Sequence, residues 1–369
     1  MNSLSMGKYR PAIILTLALT VFLASCTPDD PTEWVVTTFA GTGIAGAADT
    51  SDPGVTPVVA AQFDNPLDVA ADSDGNIYVA DADNHRIRKI TSEGVVSTFA
   101  GSGTAGSADG AGLTAAQFSS PGGVAVFGTG ADRLVYVADT GNNLIRKITI
   151  TTVNDVVTAT VSTLAGSTGM SGMGSADGDG TAAQFGFPTG VAVDSSGNVY
   201  VADYFNHIIR KIVVANDGTG TVSTLAGAVT DRGVVSGTDD GIGAAAKFSG
   251  PFDVAVDSDN NLYVADANSS RIRKITIAAN GTATVNTIAG DGTAAQFDSP
   301  EGVAVDSSGN VYVADADNNR IRKITSEGKV YTLAGTGTAV QSPTGVAVVG
   351  NNIYVADAGN NRIRKIELK

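Results

Sequence analysis

The apolar residues of this chain fall in short β-branched runs, and the runs repeat. Ile77-Tyr78-Val79-Ala80-Asp81 is followed, after a polar turn, by Ile87-Arg88-Lys89-Ile90. The same pair recurs within 135–148, 199–212, 262–275, 311–324 and 353–366. Upstream of each copy lies Pro-x-Gly-Val-Ala-Val or a close variant, and downstream of the first five lies Val-Ser-Thr-Leu-Ala-Gly or a variant. Each unit thus holds four runs of strand length, with Asp-Ser-Ser-Gly-Asn, Asp-x-x-Asn and long Gly-rich segments at the breaks. Four antiparallel strands repeated along a chain make propeller blades, since one small sheet cannot bury both of its faces alone. The pattern predicts an all-β fold: a six-bladed β-propeller of four-stranded antiparallel blades.

The chain's two ends complete one blade between them. Trp34-Val-Val-Thr-Thr-Phe-Ala-Gly41 matches the last strand of a unit, whereas the final unit stops after Arg362-Ile-Arg-Lys-Ile366, its third strand. The N-terminal strand is therefore expected to close the ring, removing two exposed strand edges. The long insertions (101–120, 166–187, 227–250) share a frame: a Gly-rich start, then Ala-Asp-Gly or Asp239-Asp240-Gly241, then Ala-Ala-Gln-Phe or a variant. Phe63, Phe118, Phe185, Phe248 and Phe297 are expected to anchor these loops by burial. Blades 1 to 4 carry long loops on the face where the inner strands begin, and blades 5 and 6 are cut back. Such a lopsided crown on a rigid scaffold suits a binding surface.

The repeat covers 34–369, and what precedes it reads as targeting sequence. Lys8 and Arg10 precede an apolar stretch, Ala12 to Leu23, too short to span a bilayer. Leu23-Ala24-Ser25-Cys26 then resembles a bacterial lipobox, which implies residues 1–25 as a cleaved signal peptide, diacylation of the Cys26 thiol, and 26–33 as a tether. The expected location is extracytoplasmic on a bacterial membrane, the outer one in a double-membraned host. Cys26 is the chain's single cysteine, so no internal disulfide framework exists. The net charge of −14 argues against nucleic acid, whose phosphates need basic patches.

The six copies of aliphatic-Tyr-Val-Ala-Asp…Ile-Arg-Lys-Ile resemble the NHL repeat. Propellers of that kind include binding modules and enzymes, so the resemblance implies a fold and leaves function open. Features present in every blade read as structural: Asp81, Asp139, Asp203, Asp266, Asp315 and Asp357 would pair with Arg88, Arg146, Arg210, Arg273, Arg322 and Arg364. Asp72-Ser-Asp-Gly-Asn76 faintly resembles a calcium loop but occupies a hairpin turn, as does Asp194-Ser-Ser-Gly-Asn198. Departures from the repeat are more informative. The inner strand opens on Gly123, Gly190, Gly302 and Gly345 in four blades, but on Asp68 and Asp253 in the opposed blades 1 and 4. These two carboxylates, with Glu301 nearby, would face each other at the tunnel mouth. They would hold calcium or an oxygen-rich or cationic ligand, or else stand solvated across a wide, wet tunnel. His85 and His207 occupy equivalent turns in non-adjacent blades, which suits surface turn residues and not a zinc site. No nucleophile elbow, Cys–His pair or P-loop is present.

Two functions remain. One is a monomeric binding module, membrane-held by lipid, engaging a protein or glycan through its loop-bearing face and requiring no cofactor. The other, implied by resemblance to lactonases, is a calcium-dependent hydrolase at the tunnel mouth. Against it, the lactonases' Glu, Asn and Asp set has no match here. The histidine-rich site of amidating lyases is not matched either.

Overall fold

The computed structural model describes residues 34–50, 60–153, 156–169, 173–230, 233–292, 296–335 and 340–368. Signal peptide, Cys26 and tether lie outside the described residues. Six antiparallel sheets form a ring in which each inner strand packs against that of the next blade, the sixth against the first. Blade 1 shows the pattern: inner strand Pro66–Ala71, then Ile77–Asp81, Arg86–Ile90 and the outer strand Val96–Ala100. The second strand of every blade is buried along its whole central run, because neighbouring blades cover both of its faces. That is why it reads as Ile-Tyr-Val-Ala-Asp without polar alternation.

The apolar interior is divided among six clusters, one at each blade–blade interface. Between blades 2 and 3, for example, Tyr136, Ala138 and Ile145 pack against Val191, Val199, Val201 and Ile212. No blade has a core of its own, so the ring folds as one unit despite its length.

Ring closure follows the expected register. Trp34–Ala40 pairs antiparallel with Arg362–Leu368, Trp34 opposite Leu368 and Thr38 opposite Arg364. Phe39 and Ala40 pack into the interface with blade 1, and Trp34 and Val36 into that with blade 5. The expected four strands are present in every blade, and blades 2, 3 and 4 extend them. Each gains a two-residue fifth strand at its outer edge: Gly110–Ala111, Gly178–Asp179 and Gly241–Ile242. These pieces come from the Asp-Gly frame of the long loops, which have free backbone groups to offer the outer strand. The loop into blade 4 also forms a small hairpin, Ala228–Thr230 with Gly233–Val235.

Candidate functional site

In the first four blades one arginine anchors the crown. Arg146, fully buried, donates from Nη1 to Asp139 Oδ2 (2.7 Å) and the Gln117 carbonyl (2.9 Å), and from Nη2 to the Ala108 carbonyl (3.0 Å) and Asp109 Oδ1 (2.6 Å). The Phe118 ring lies beneath the guanidinium, 5.3 Å from it. Arg88, Arg210 and Arg273 repeat this set with Asp49, Asp177 and Asp240 as the loop carboxylates. The expected Asp–Arg pairs are thus present in all six blades. The Ala-Asp-Gly frame proves to be the part of the loop that enters the pair. Asp and Arg meet because they lie diagonally across a strand pair on one face: Asp203 is opposite Ile208, while Arg210 is opposite Val201. Burial pushes Asp203 and Asp266 up to about 6, against the opposing pull of their arginines.

The hairpin turns are equally fixed. Asp72 Oδ1 accepts the backbone N–H groups of Asp74 and Asn76, and Oδ2 accepts from Asn76 Nδ2 and pairs with Arg133 at 3.0 Å. Asp194, Asp257 and Asp306 hold the same turn. This is turn chemistry, with the carboxylate already saturated. The histidines are inter-blade links: His85 Nδ1 accepts from Ser120 N (3.1 Å) and His207 Nδ1 from Gly250 N (3.0 Å). Asn143, Asn319 and Asn361 do the same in other blades, Asn361 reaching Asn65 across the ring closure.

At the centre, Asp68 and Asp253 do face each other, but no wide, wet tunnel separates them. They are only 8% and 7% exposed. The space ringed by Asp68, Asp253, Gly190 and Gly345 amounts to about 10 Å³, room for roughly one water. The inner strands approach so closely that a Cβ on Gly190 would lie 2.3 Å from Asp253 Oδ1, and one on Gly345 2.5 Å from the Asp68 Cα. Each aspartate ties two blades together. Asp68 accepts from Val69 N and, across the blade boundary, from Val124 N, both at 2.8 Å. Asp253 accepts from Val254 N (2.8 Å) and Val303 N (2.9 Å). Burial raises the pKa of both, and the charge of Asp253 adds to the rise at Asp68. The hub has an approximate two-fold pattern, with Thr189 Oγ1 donating to the Phe252 carbonyl and Thr344 Oγ1 to that of Pro66. Glu301 does not join the pair. It sits half-buried beside Asp317, and burial with that neighbouring charge pushes it up to about 7. No group of three or more His, Cys, Asp or Glu positioned for a metal occurs among the described residues.

A cavity of about 530 Å³ lies on the face opposite the long loops, between blades 4 and 5. It is lined by the turns at Asp257 and Asp306, by Tyr263 and Lys274, and by Glu327. The loop face carries instead an aromatic cluster that counting acids and histidines passes over. Phe187 and Phe205 stand 5.0 Å apart, Tyr204 lies 5.3 Å from Phe205, and Phe252 meets Tyr204 edge-on at 5.9 Å. The signal was present in the sequence: Tyr204-Phe205 replaces the small and polar residues that the other five blades place in this turn.

The repeat units have independent support. A family model described as the teneurin NHL domain matches residues 36–276, and one described as the NHL repeat matches 297–324 and 341–366. The chain belongs to the NHL-repeat propeller family. Among curated relatives, human NHL repeat-containing protein 2 is 31% identical over 251 residues, 62% of this chain and 33% of its own length. SUPPRESSOR OF QUENCHING 1 of Arabidopsis thaliana is 29% identical over 234 residues, 61% of this chain and 21% of its own. The chain thus spans a fifth to a third of the length of these relatives. Among solved structures, an auxiliary nutrient binding protein from Bacteroides thetaiotaomicron superposes with a TM-score of 0.59 at 16% identity, covering 91% of this chain and 76% of that one. A gluconolactonase from Xanthomonas campestris gives 0.56 at 12% identity, covering 84% and 87%. These two likenesses show the fold alone.

Proposed function

We propose that this NHL propeller is a binding module, held on the extracytoplasmic side of a bacterial membrane by a lipid on Cys26, which engages a protein or glycan through its loop-bearing face. The observation that carries this reading is the way the crown is built. Buried arginines clamp the loops of blades 1 to 4 to the blades beneath them. A surface held in this way loses little entropy on binding, which favours recognition. The hub beneath the crown is closed by backbone contacts and aspartate links, which suits a scaffold more than a channel. Metabolic palmitate labelling checks the anchor: Cys26→Ser should abolish both the label and membrane association. Parallel protein-interaction and glycan-array screens of the intact chain test the face, and no binding in either class would refute the reading.

The alternative is a calcium-dependent hydrolase centred on Asp68 and Asp253, supported by the gluconolactonase fold likeness and the two opposed acids. The same geometry weighs against it, because every oxygen of these two carboxylates already accepts a backbone N–H. Calorimetric titration with calcium separates the readings, since heat of binding that disappears in Asp253→Asn would favour the hydrolase.

A further inference from the structure

The loop face departs from its own repeat in blades 3 and 4, where Phe187, Tyr204, Phe205 and Phe252 stand. The residue just before the proline that leads into each inner strand adopts a left-handed backbone: Asn65, Ser120, Phe187, Gly250, Ser299 and Ser342, with φ from +42° to +59°. Asn, Ser and Gly tolerate that region, whereas a bulky Phe is strained there. Phe187 nonetheless holds φ +57° with its ring 39% exposed. The turn Tyr204-Phe205 exposes a second ring, with Phe205 at 48%. Phe252, on the next inner strand, extends the cluster toward the mouth. Strain and exposure both cost stability, and neither improves the core.

Glu301 follows Phe252 around the mouth, one blade further on, and lies beside Asp317. No ion pair connects either acid to a lysine or arginine among the described residues, although most acids that hold the loops are paired. The rings therefore run toward a pair of acids left available to take up a ligand's positive charge, on a chain whose net charge is −14.

We propose that Phe187, Tyr204, Phe205 and Phe252, with Glu301 and Asp317, form one site for a cationic peptide segment: an arginine or lysine next to an apolar side chain. Ring faces attract a guanidinium or ammonium while the apolar neighbour covers exposed ring surface. The acids at the far end supply the charge complement. This inference rests on the loop-face reading and names its ligand class.

The test uses the full chain with two synthetic probes, acetyl-Arg-Leu-Arg-Leu-amide and its counterpart with Glu in place of Arg, followed by calorimetry and ligand-detected NMR. The Arg peptide should bind, more weakly as salt rises, and the Glu peptide should not. Phe205→Ser and Glu301→Gln should each weaken binding about tenfold. Phe187→Asn supplies a readout that a structural role would not move: binding weakens while Tm rises, because the strain is relieved. Binding unchanged in Phe205→Ser and Glu301→Gln would overturn the site. A glycan array running in parallel distinguishes the failures. Glycan binding lost in Phe205→Ser, without peptide binding, overturns the ligand class and leaves the loop-face reading standing. Binding of neither class overturns both.

Discussion

Replacing Arg146 by Met removes a buried cation and leaves its partner behind. Asp139 is fully buried, and burial already raises its pKa against the pull of Arg146. Without the arginine, Asp139 keeps only Ser119 N (2.7 Å) and Asn142 Nδ2 (2.8 Å) as donors; the Gln117 carbonyl loses its donor, and the Ala108 carbonyl keeps only the Gln117 N–H. Breaking a buried pair from one side costs about 3–5 kcal/mol. The same arginine also bonds Asp109, whose carboxylate is half-exposed, so Asp109→Ala should cost about 1 kcal/mol or less. Removing both buried partners, Arg146→Met with Asp139→Leu, should recover part of the loss but not all, because the Ser119 N–H is then orphaned at about 1–3 kcal/mol. Urea unfolding followed by circular dichroism measures all four chains, with unchanged slope as the check on a common unfolding process. Hydrogen exchange adds a local readout, since the loop at 101–120 should open in Arg146→Met. If Arg146→Met costs under about 1 kcal/mol, or Asp109→Ala costs as much, the central role of the buried pair is wrong.

Other outcomes follow from the same geometry. Deleting 34–41 strips blade 6 of its outer strand and should lower Tm sharply and broaden the transition; an unchanged melting curve refutes ring closure by this strand. Gly345→Ala forces a Cβ to within 2.5 Å of the Asp68 Cα and should destabilise by about 1–3 kcal/mol or more, whereas Gly350→Ala, with nothing within 4 Å, should show only the smaller effect of its φ of +57°. Two pH effects of opposite sign are expected. The pKa of His207 is depressed, first by burial, so the folded state binds fewer protons and stability falls as pH drops below about 6.5; His207→Asn, which retains an acceptor, should flatten that slope. The central carboxyls are raised, so the folded state binds more protons and stability falls as pH rises above about 4 toward neutrality; unfolding free energies of Asp68→Asn across that range should show a smaller decline than those of the parent chain, and an equal decline would refute the assignment.

Much of the architecture was legible in local pattern, because a propeller is a repeated local solution. Strand length, turn chemistry and six copies of Tyr-Val-Ala-Asp announce four-stranded blades, and the unmatched strand at Trp34 announces ring closure. The Asp–Arg pairs were readable because they recur at one spacing, which places both side chains on one face of adjacent strands. Three features were not readable, for a common reason: each depends on distances between segments far apart in the chain. Whether the hub is open depends on how closely six backbones pack, and glycine at Gly190 and Gly345 admits either an open passage or direct contact. The fifth strands depend on the reach of the loops once an arginine has caught their Asp. The aromatic residues stand out as departures from the repeat, but their clustering depends on Phe187, Tyr204 and Phe252 converging from three separate segments. Local propensity fixes what each segment can be, and only the closure of the ring brings the segments to one place, where packing and charge decide what they form together.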